Sequence, residues 1–444
     1  MNTKHLKARI LDLALQGKLV ENSRIPNDLN SRIPTDFNPP FEIPNSWAWV
    51  KLGDICEIIS GTSYNKQDIK PQGIRILRGG NINDDTSNID LFNDDIFIDE
   101  KLYNEKTIPQ KHDILIVSST GSEKVIGKPA FAKENFKNTQ IGAFLRIIRI
   151  NNNFSKYIHN IFLSEFYRKH IRSLIKGTNI YNIKNSYLEN FYIPLPPKDE
   201  QERIVKKIDE LFNQIDILET SKQNLLKNIK HTKARILDLA LQGKLVENSR
   251  IPTDLNSRIP SDFNPPFEIP NSWQWVKLRD ICEITSSKRI LKSEYVKSGI
   301  PFYRTKEIVE LSNKEKISTE FFISENRYNE IKSKFGIPQT NDLLISAVGT
   351  IGKIWLVDTN KPFYFKDGNL IWLKNSNSFN SLFLKYMLEN QISKNKFSGT
   401  AYNALTIIFL KNLYIPLPPK DKQERIVKKI DELFEILEVI ENSL

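Results

Sequence analysis

The chain has 444 residues, enough for two to four domains. Its mean hydropathy is −0.41, and no apolar run approaches the ~20 residues of a membrane span. Lys and Arg (64) outnumber Asp and Glu (53), a net charge of +11; this favours a polyanionic partner such as nucleic acid, although the Lys- and Asn-rich composition of an AT-rich genome gives the same excess.

The two cysteines, Cys56 and Cys282, both lie in "DICEI". That excludes a disulfide framework and points to small buried residues. The five histidines show no metal-ligand spacing. The N-terminal residues lead into an amphipathic stretch rather than an apolar signal core, so a cytoplasmic protein is expected.

In chain order, the first predicted element is a helix with apolar Leu6, Ile10 and Leu13, ended by Gly17. A proline-rich linker, "SRIPNDLNSRIPTDFNPPFEIPNSW", follows, because its prolines exclude a helix interior. Trp47, Trp49, Val50 and Leu52 then start a domain core. Short apolar runs at 113–119 and 143–150 read as strands. A helical stretch at 155–175 carries Tyr157, Ile161, Phe162, Phe166, Ile171 and Leu174. Gly177-Thr178 and "IPLPP" come next.

From Asp199, a plausible N-cap with Glu202 at capping-box distance, a heptad stripe runs through Ile204, Ile208, Leu211, Ile215, Leu218, Leu225 and Ile229, interrupted at Lys222. Helix formers continue to Gly243. The predicted helix has ~43 residues and a length of ~65 Å, more than a globular core needs.

The chain then repeats itself. Residues 8–58 align with 234–284 without gaps and differ only at Asn27/Thr253, Thr35/Ser261, Ala48/Gln274 and Gly53/Arg279. Residues 191–212 return at 413–434. The intervening segments, 59–190 and 285–412, barely resemble each other, yet each predicts an α+β globule of about 150 residues. In the second, strands are predicted at 342–349, 353–358 and 370–374 and a helix at 380–396, before Gly399-Thr400.

The order is circular. The long central block is split at the chain ends, its first half closing the chain at 416–434 and its second half opening it at 7–23. The terminal stripes, including Ile426, Ile430, Leu433 and Leu437, are therefore expected to pack along the central helix as an antiparallel coiled coil, with a pseudo-twofold axis. A homodimerisation coil is the alternative.

Several motifs imitate catalysis. Asn38-Pro39-Pro40-Phe41, repeated at 264–267, matches the tetrapeptide with which amino-group DNA methyltransferases hold an extruded base. That use needs a preceding buried strand, but "LNSRIPTD" is polar and contains proline. It also needs a glycine-rich cofactor turn, and no two of the 17 glycines are spaced i, i+2. "GSEKVIGKP" (121–129) has five residues between glycines where a phosphate loop has four, and Pro129 replaces the magnesium ligand. With "GTIGKI" (349–354) it reads better as a basic hairpin turn. Asp84-Asp85 and Asp94-Asp95 read as exposed loop acids.

Two variable domains, near-identical helical blocks and circular order together resemble the specificity subunits of Type I restriction–modification systems. The matching residues are "ILDLALQGKLV" (10–20, 236–246), "FEIPNSWxWVKL" (41–52, 267–278), the Gly-Thr turns and "PLPPKDxQERIV" (194–205, 416–427). The resemblance covers essentially the whole chain. It implies an α+β fold with two globular target-recognition domains separated by a long antiparallel two-helix coiled-coil spacer in a pseudo-twofold circular repeat. The expected divisions are an N-terminal helix (1–22) packing with the C-terminal helix, a linker (23–44), the first recognition domain (45–197), the central helix (198–243), a linker (244–270), the second recognition domain (271–419) and the C-terminal helix (420–444).

The implied function is non-catalytic: each domain reads one part of a split, asymmetric double-stranded DNA sequence, and the helices recruit two modification subunits, with restriction subunits joining afterwards. No cofactor is then expected in this chain; S-adenosylmethionine, ATP and magnesium belong to partner subunits. A self-contained adenine-specific DNA methyltransferase and a two-domain scaffold for non-DNA partners are the rival readings. Residues expected to touch DNA are Arg75, Arg78, Asn81, Lys124, Lys128, Tyr181, Asn182 and Lys184 in the first domain. In the second they are Arg304, Lys306, Lys353, Tyr402 and Asn403. Ile204, Ile208, Leu211, Ile215, Leu218, Ile426, Ile430 and Leu433 are expected on the partner-binding helices. Helix length should set the interval between half-sites, and near-identical blocks, if equally similar as DNA, would let recombination exchange recognition domains.

Overall fold

A computed structural model describes residues 3–23, 37–83, 86–150, 155–175, 181–247, 259–260, 263–394 and 404–444. They form two units, Met1–Ser221 and Lys222–Leu444. The first begins with helix α1 (Thr3–Leu15), whose amphipathic face buries Ile10, Leu11, Ala14 and Leu15. A Schellman turn ends it: Lys18 N–H donates to the Leu13 carbonyl (2.9 Å), and Gly17 N–H to that of Ala14 (3.2 Å). Gly17 has φ +66°, and a Cβ there would collide with the ring of Pro44.

Entry to and exit from the first α+β globule are tied by an antiparallel ladder, Ala48–Lys51 against Tyr192–Leu195, with Trp49 opposite Pro194. The central antiparallel sheet has the order Cys56–Ser60, Leu145–Ile150, Ile114–Val117, Pro129–Phe131. All four residues of Ile114–Val117 are buried, as a continuous apolar run predicts. A second sheet, Ile69–Lys70, Ile96–Ile98, Ile74–Leu77, Thr139–Ile141, ends in a parallel pairing. The predicted 155–175 helix is two helices, α2 (Ser155–Leu163) and α3 (Glu165–Leu174). Ser164 divides them because its hydroxyl oxygen accepts the Tyr167 N–H as an N-cap (3.3 Å). A short helix α4 (Asn185–Glu189) precedes the ladder's return strand.

Helix α5 (Lys198–Leu241) is 44 residues long, about 66 Å at 1.5 Å per residue. It starts one residue before Asp199, so Asp199 is not the predicted N-cap; it lies in the first turn and pairs with Arg203 (2.7 Å). Beside it, Glu200 is fully buried. It accepts hydrogen bonds from Trp47 Nε1 (2.8 Å) and Ser23 N–H (3.0 Å). At the far end, Gly243 (φ +67°) repeats the cap of Gly17, with Lys244 N–H donating to the Leu239 carbonyl (2.8 Å).

The second unit repeats this plan from a different sequence. Its ladder is Gln274–Lys277 against Tyr414–Leu417, with Trp275 opposite Pro416. Its central sheet has the order Glu283–Thr285, Leu370–Lys374, Leu343–Ser346, Ile354–Leu356. Its other sheet runs Tyr295–Val296, Phe322–Ile323, Ile300–Tyr303, Tyr364–Phe365, again with a parallel last pair. The helices are α6 (Thr305–Ser312), α7 (Glu325–Phe335), α8 (Ser381–Lys394), α9 (Ile407–Asn412) and α10 (Lys420–Asn442).

In each unit a pair of antiparallel helices shares the globule's core. In the first, α1 runs against the first half of α5, with Lys7 on Asp216 (2.5 Å) and Thr3 on Glu219 (3.3 Å). In the second, α10 runs against the later part of α5, with Lys233 on Glu441 (2.9 Å). This corrects the role given to the heptad stripe. Ile204, Ile208 and Ile215 are buried in a core that includes Trp47, Ile114 and Tyr157. Ile426 and Ile430 are buried with Trp273 and Phe383. Each such side chain contributes about 1.5–3 kcal/mol of burial and offers no surface to another subunit. Leu211 and Leu433 are half-buried, and Leu218 is 56% exposed. The apolar residues the helices leave exposed are Ile217, Leu218 and Leu225 on α5 and Ile436, Val439 and Ile440 on α10.

Both cysteines are buried and unpaired. Burial pushes each thiol up to about 12, with Glu189 adding to the effect at Cys56. No helix among the described residues is long and apolar enough to cross a membrane.

Candidate nucleic-acid interface

The Asn-Pro-Pro-Phe tetrapeptides are packing elements. Of the residues ahead of them, 24–36 and 248–258 lie outside the described residues. The Phe41 ring lies on Trp49 (5.1 Å) and edge-on to Phe166 (5.4 Å), and Phe267 lies on Trp275 (5.1 Å). Phe37 stacks on Tyr192 (4.2 Å) and Phe263 on Tyr414 (4.0 Å). These rings fasten the linker to the ladder. Among the described residues, no group of His, Cys, Asp and Glu could hold a metal ion.

Of the predicted DNA contacts in the first unit, Arg78, Lys124, Lys128, Tyr181, Asn182 and Lys184 lie on segments that meet one end of the central sheet, whereas Arg75 is on a strand of the other sheet. In the first unit, strand Ile114–Val117 leads into Ser118, whose N–H donates to the Phe144 carbonyl (2.8 Å). Ser119–Thr120 then pairs with Tyr181–Asn182. Gly79 lies against the Val117 side chain, 3.7 Å from where its Cβ would be, so the loop carrying Arg78 meets the same sheet end. The "GSEKVIGKP" segment is the hairpin expected, turning on Gly127 (φ +73°), whose N–H donates to the Val117 carbonyl (2.7 Å). Gly352 (φ +80°) does the same with Ser346 (2.8 Å).

Arg78, Lys124, Asn182 and Lys184 are exposed there, with Lys128 and Tyr181 half-buried. Arg78 and Lys124 have no side-chain partner among the described residues. Lys184 sits over the Tyr187 ring (5.8 Å). These six form a mixed cationic and hydrogen-bonding rim, the chemistry that phosphates and base edges require.

Three predicted contacts are corrected. Asn81 is 2% exposed. Its Oδ1 accepts the Arg78 N–H (2.8 Å), and its Nδ2 donates to the Asp90 carbonyl (2.9 Å) and Asp95 Oδ1 (2.7 Å). It builds the loop and cannot reach a groove. Arg75 is held by Asp95 (3.4 Å) and lies on the Phe97 ring (5.2 Å). Arg304 is held by Glu307 (3.1 Å), Glu320 (3.5 Å) and the Phe321 ring (4.2 Å). Arg304 occupies the position of Arg78: its N–H donates to Glu307 Oε2 (2.8 Å), as that of Arg78 does to Asn81. The same backbone turn thus carries, in one unit, a guanidinium with no partner among the described residues and, in the other, one paired with glutamates.

In the second unit an open cleft of about 540 Å³ is lined by Thr305, Lys306, Val348, Gly349, Thr350 and Asn369. Lys306 is exposed and only loosely paired with Glu310 (3.9 Å). Lys353 is exposed; burial raises the pKa of Glu389 on α8, and the charges of Lys385 and then Lys353 oppose that rise. Tyr402 and Asn403, with Gly177-Thr178, Gly399-Thr400 and Asp84-Asp85, lie outside the described residues.

Two further residues, Phe144 and Asn369, stand at the corresponding ends of the two central sheets. Phe144 stood inside an apolar run read as strand, but the strand begins at Leu145, and the turn before it leaves the ring 63% exposed. Asn369 precedes the equivalent strand, and its carbonyl accepts the Ala347 N–H (2.8 Å) as that of Phe144 accepts Ser118.

The model of the Type I restriction modification DNA specificity domain matches residues 44–228 and again 270–444. The StySPI specificity subunit of Salmonella potsdam is 25% identical over 429 residues, covering 91% of this chain and 85% of the relative. The EcoKI specificity subunit of Escherichia coli K12 is 24% identical with the same coverage. Among solved structures, the HsdS subunit of Thermoanaerobacter tengcongensis aligns over 91% of this chain and 93% of its own (TM-score 0.58, 20% identity). A chain from a study of assembly and conformational transition of the type I R-M system aligns over 91% and 94% (TM-score 0.61, 21% identity). The structural likeness is one of fold.

Proposed function

The chain belongs to the Type I restriction modification DNA specificity family, and from that premise we propose that it is the subunit that selects the DNA sequence on which a restriction–modification complex acts. Its two units each read one half of a bipartite, asymmetric target. One observation carries this: the units share a strand order and a ladder register, yet the ends of their central sheets carry different side chains. A common scaffold with two different surfaces is what reading two different half-sites requires.

Lys124, Lys128, Lys184 and Lys306 supply positive charge for phosphates, which sets register without sequence information. Arg78, fixed at its backbone by Asn81 and with no side-chain partner among the described residues, suits bidentate contact with guanine O6 and N7. The chain performs no chemistry itself. The packing of Phe41 and Phe267 supports this, since both rings are committed to tryptophans. Methyl transfer with S-adenosylmethionine, and ATP- and magnesium-dependent cleavage, fall to partner subunits. Two modification subunits dock on the helical blocks, one per unit, over the exposed Ile217, Leu218, Val439 and Ile440, and restriction subunits join them in the cytoplasm.

Methylome sequencing of cells expressing this chain with its modification partner tests the reading. An interrupted two-part methylated sequence is expected, absent without this chain. Methylation that is independent of the chain, or an uninterrupted target, would refute it.

A further inference from the structure

Phe144 and Asn369 hold one structural position in two chemical forms. Each immediately precedes the second strand of its central sheet, and each carbonyl accepts the N–H of the residue that follows the neighbouring strand, Ser118 or Ala347 (2.8 Å in both). The backbone is therefore pinned alike, and only the side chain differs. Phe144 presents a largely exposed ring beside Ser118–Thr120 and the Arg78 loop, where burial in water-free surroundings would be favourable and exposure is not. Asn369 lines the cleft with Thr305, Lys306 and Val348. Its side-chain amide has no partner among the described residues. An exposed ring at the cationic rim of the first unit, and beside Lys306 in the second an amide with no partner among the described residues, are side chains without a structural task.

We propose that this position determines specificity in both units. It rests on the DNA-reading function proposed above and names two side chains that carry it. Phe144 makes an apolar contact with a thymine methyl group in the first half-site. Asn369 donates to and accepts from an adenine edge, at N7 and N6, in the second. The two half-sites differ at this contact because a ring has no hydrogen bonds to give and an amide has little apolar surface.

The test uses the full chain in complex with its modification partner, with methylomes and competition binding to oligonucleotides varied one base at a time. Phe144→Asn should relax or change one base of the first half-site, lowering discrimination there by roughly tenfold to a hundredfold, and leave the second half-site unchanged. Asn369→Ala should do the converse. Phe144→Leu keeps an apolar contact and should keep the first half-site. Binding weakened equally for all sequences, or half-sites unchanged in both variants, would overturn this assignment while leaving the proposed function intact. A wild-type complex that selects no sequence would overturn both. Thermal melting separates misfolding from altered reading, and a Phe144→Leu protein that unfolds would show the ring to be structural and end the proposal for it.

Discussion

His159 on α2 is stacked against Phe131 (4.7 Å) inside the first unit. Burial, with the Lys156 charge adding to it, lowers its pKa to about 4 from the usual 6.5. Between these values the unfolded chain binds a proton that the folded chain refuses. Stability is therefore highest above about 6.5 and falls as pH drops towards 4, by on the order of 3 kcal/mol. His159→Phe keeps the stacking and removes the proton site, so the fall in urea midpoint between pH 6.5 and 4 should shrink; an unchanged slope would assign the acid sensitivity to other groups. At this scale the sequence was least legible. Asn81 and Arg78 stand three residues apart in a polar loop, and nothing in their order says that one caps the turn while the other projects from it. That distinction comes from Asp95, 14 residues further on, which takes the Asn81 amide hydrogen.

Elements were read more securely, because periodicity and terminators are local. The runs at 113–119, 143–150, 342–349, 353–358 and 370–374 each contain a strand, and Gly243 closes the long helix two residues after Leu241. The stripe on that helix was read correctly as a coil with the chain's own terminal helices, because the circular split of the repeat names the partner; what a heptad pattern alone does not tell is that its isoleucines face inward and offer nothing to another subunit. Gly17 and Gly243 give a test of the element's ends. Both have positive φ, and at both a Cβ would strike a proline ring. Alanine at either should cost about 2 kcal/mol or more, from the left-handed conformation and the collision together. Gly80, with no atom within 4 Å of its Cβ position, should accept alanine within about 0.5 kcal/mol. Equal losses at Gly80 and Gly243 in thermal melts would remove the argument.

For the whole molecule, the two variable segments should be interchangeable parts. The constant blocks offer them the same partners: Lys156 pairs with Asp209 (2.6 Å) in the first unit, and Tyr386 donates to the equivalent Asp431 (2.5 Å) in the second. Trp47 meets Tyr157 edge-on (6.4 Å), and Trp273 stands in the same place beside Phe383. The exception is Glu200, whose counterpart is Lys422, buried and donating to the Glu247 carbonyl (2.9 Å). A chain with residues 59–190 in place of 285–412 would bring Tyr157 near Lys422 rather than Glu200. The Tyr157 hydroxyl would still find its acceptor, because Pro416 repeats the carbonyl of Pro194 that it bonds now (2.8 Å). The duplicated chain should therefore fold, and Lys422→Glu should restore whatever stability the graft loses. With the modification partner, it should methylate a target that contains the first half-site sequence twice and the second not at all. Bases of the original second half-site persisting in that target would place the reading in the constant blocks, which are nearly identical and so cannot by themselves specify two different sequences.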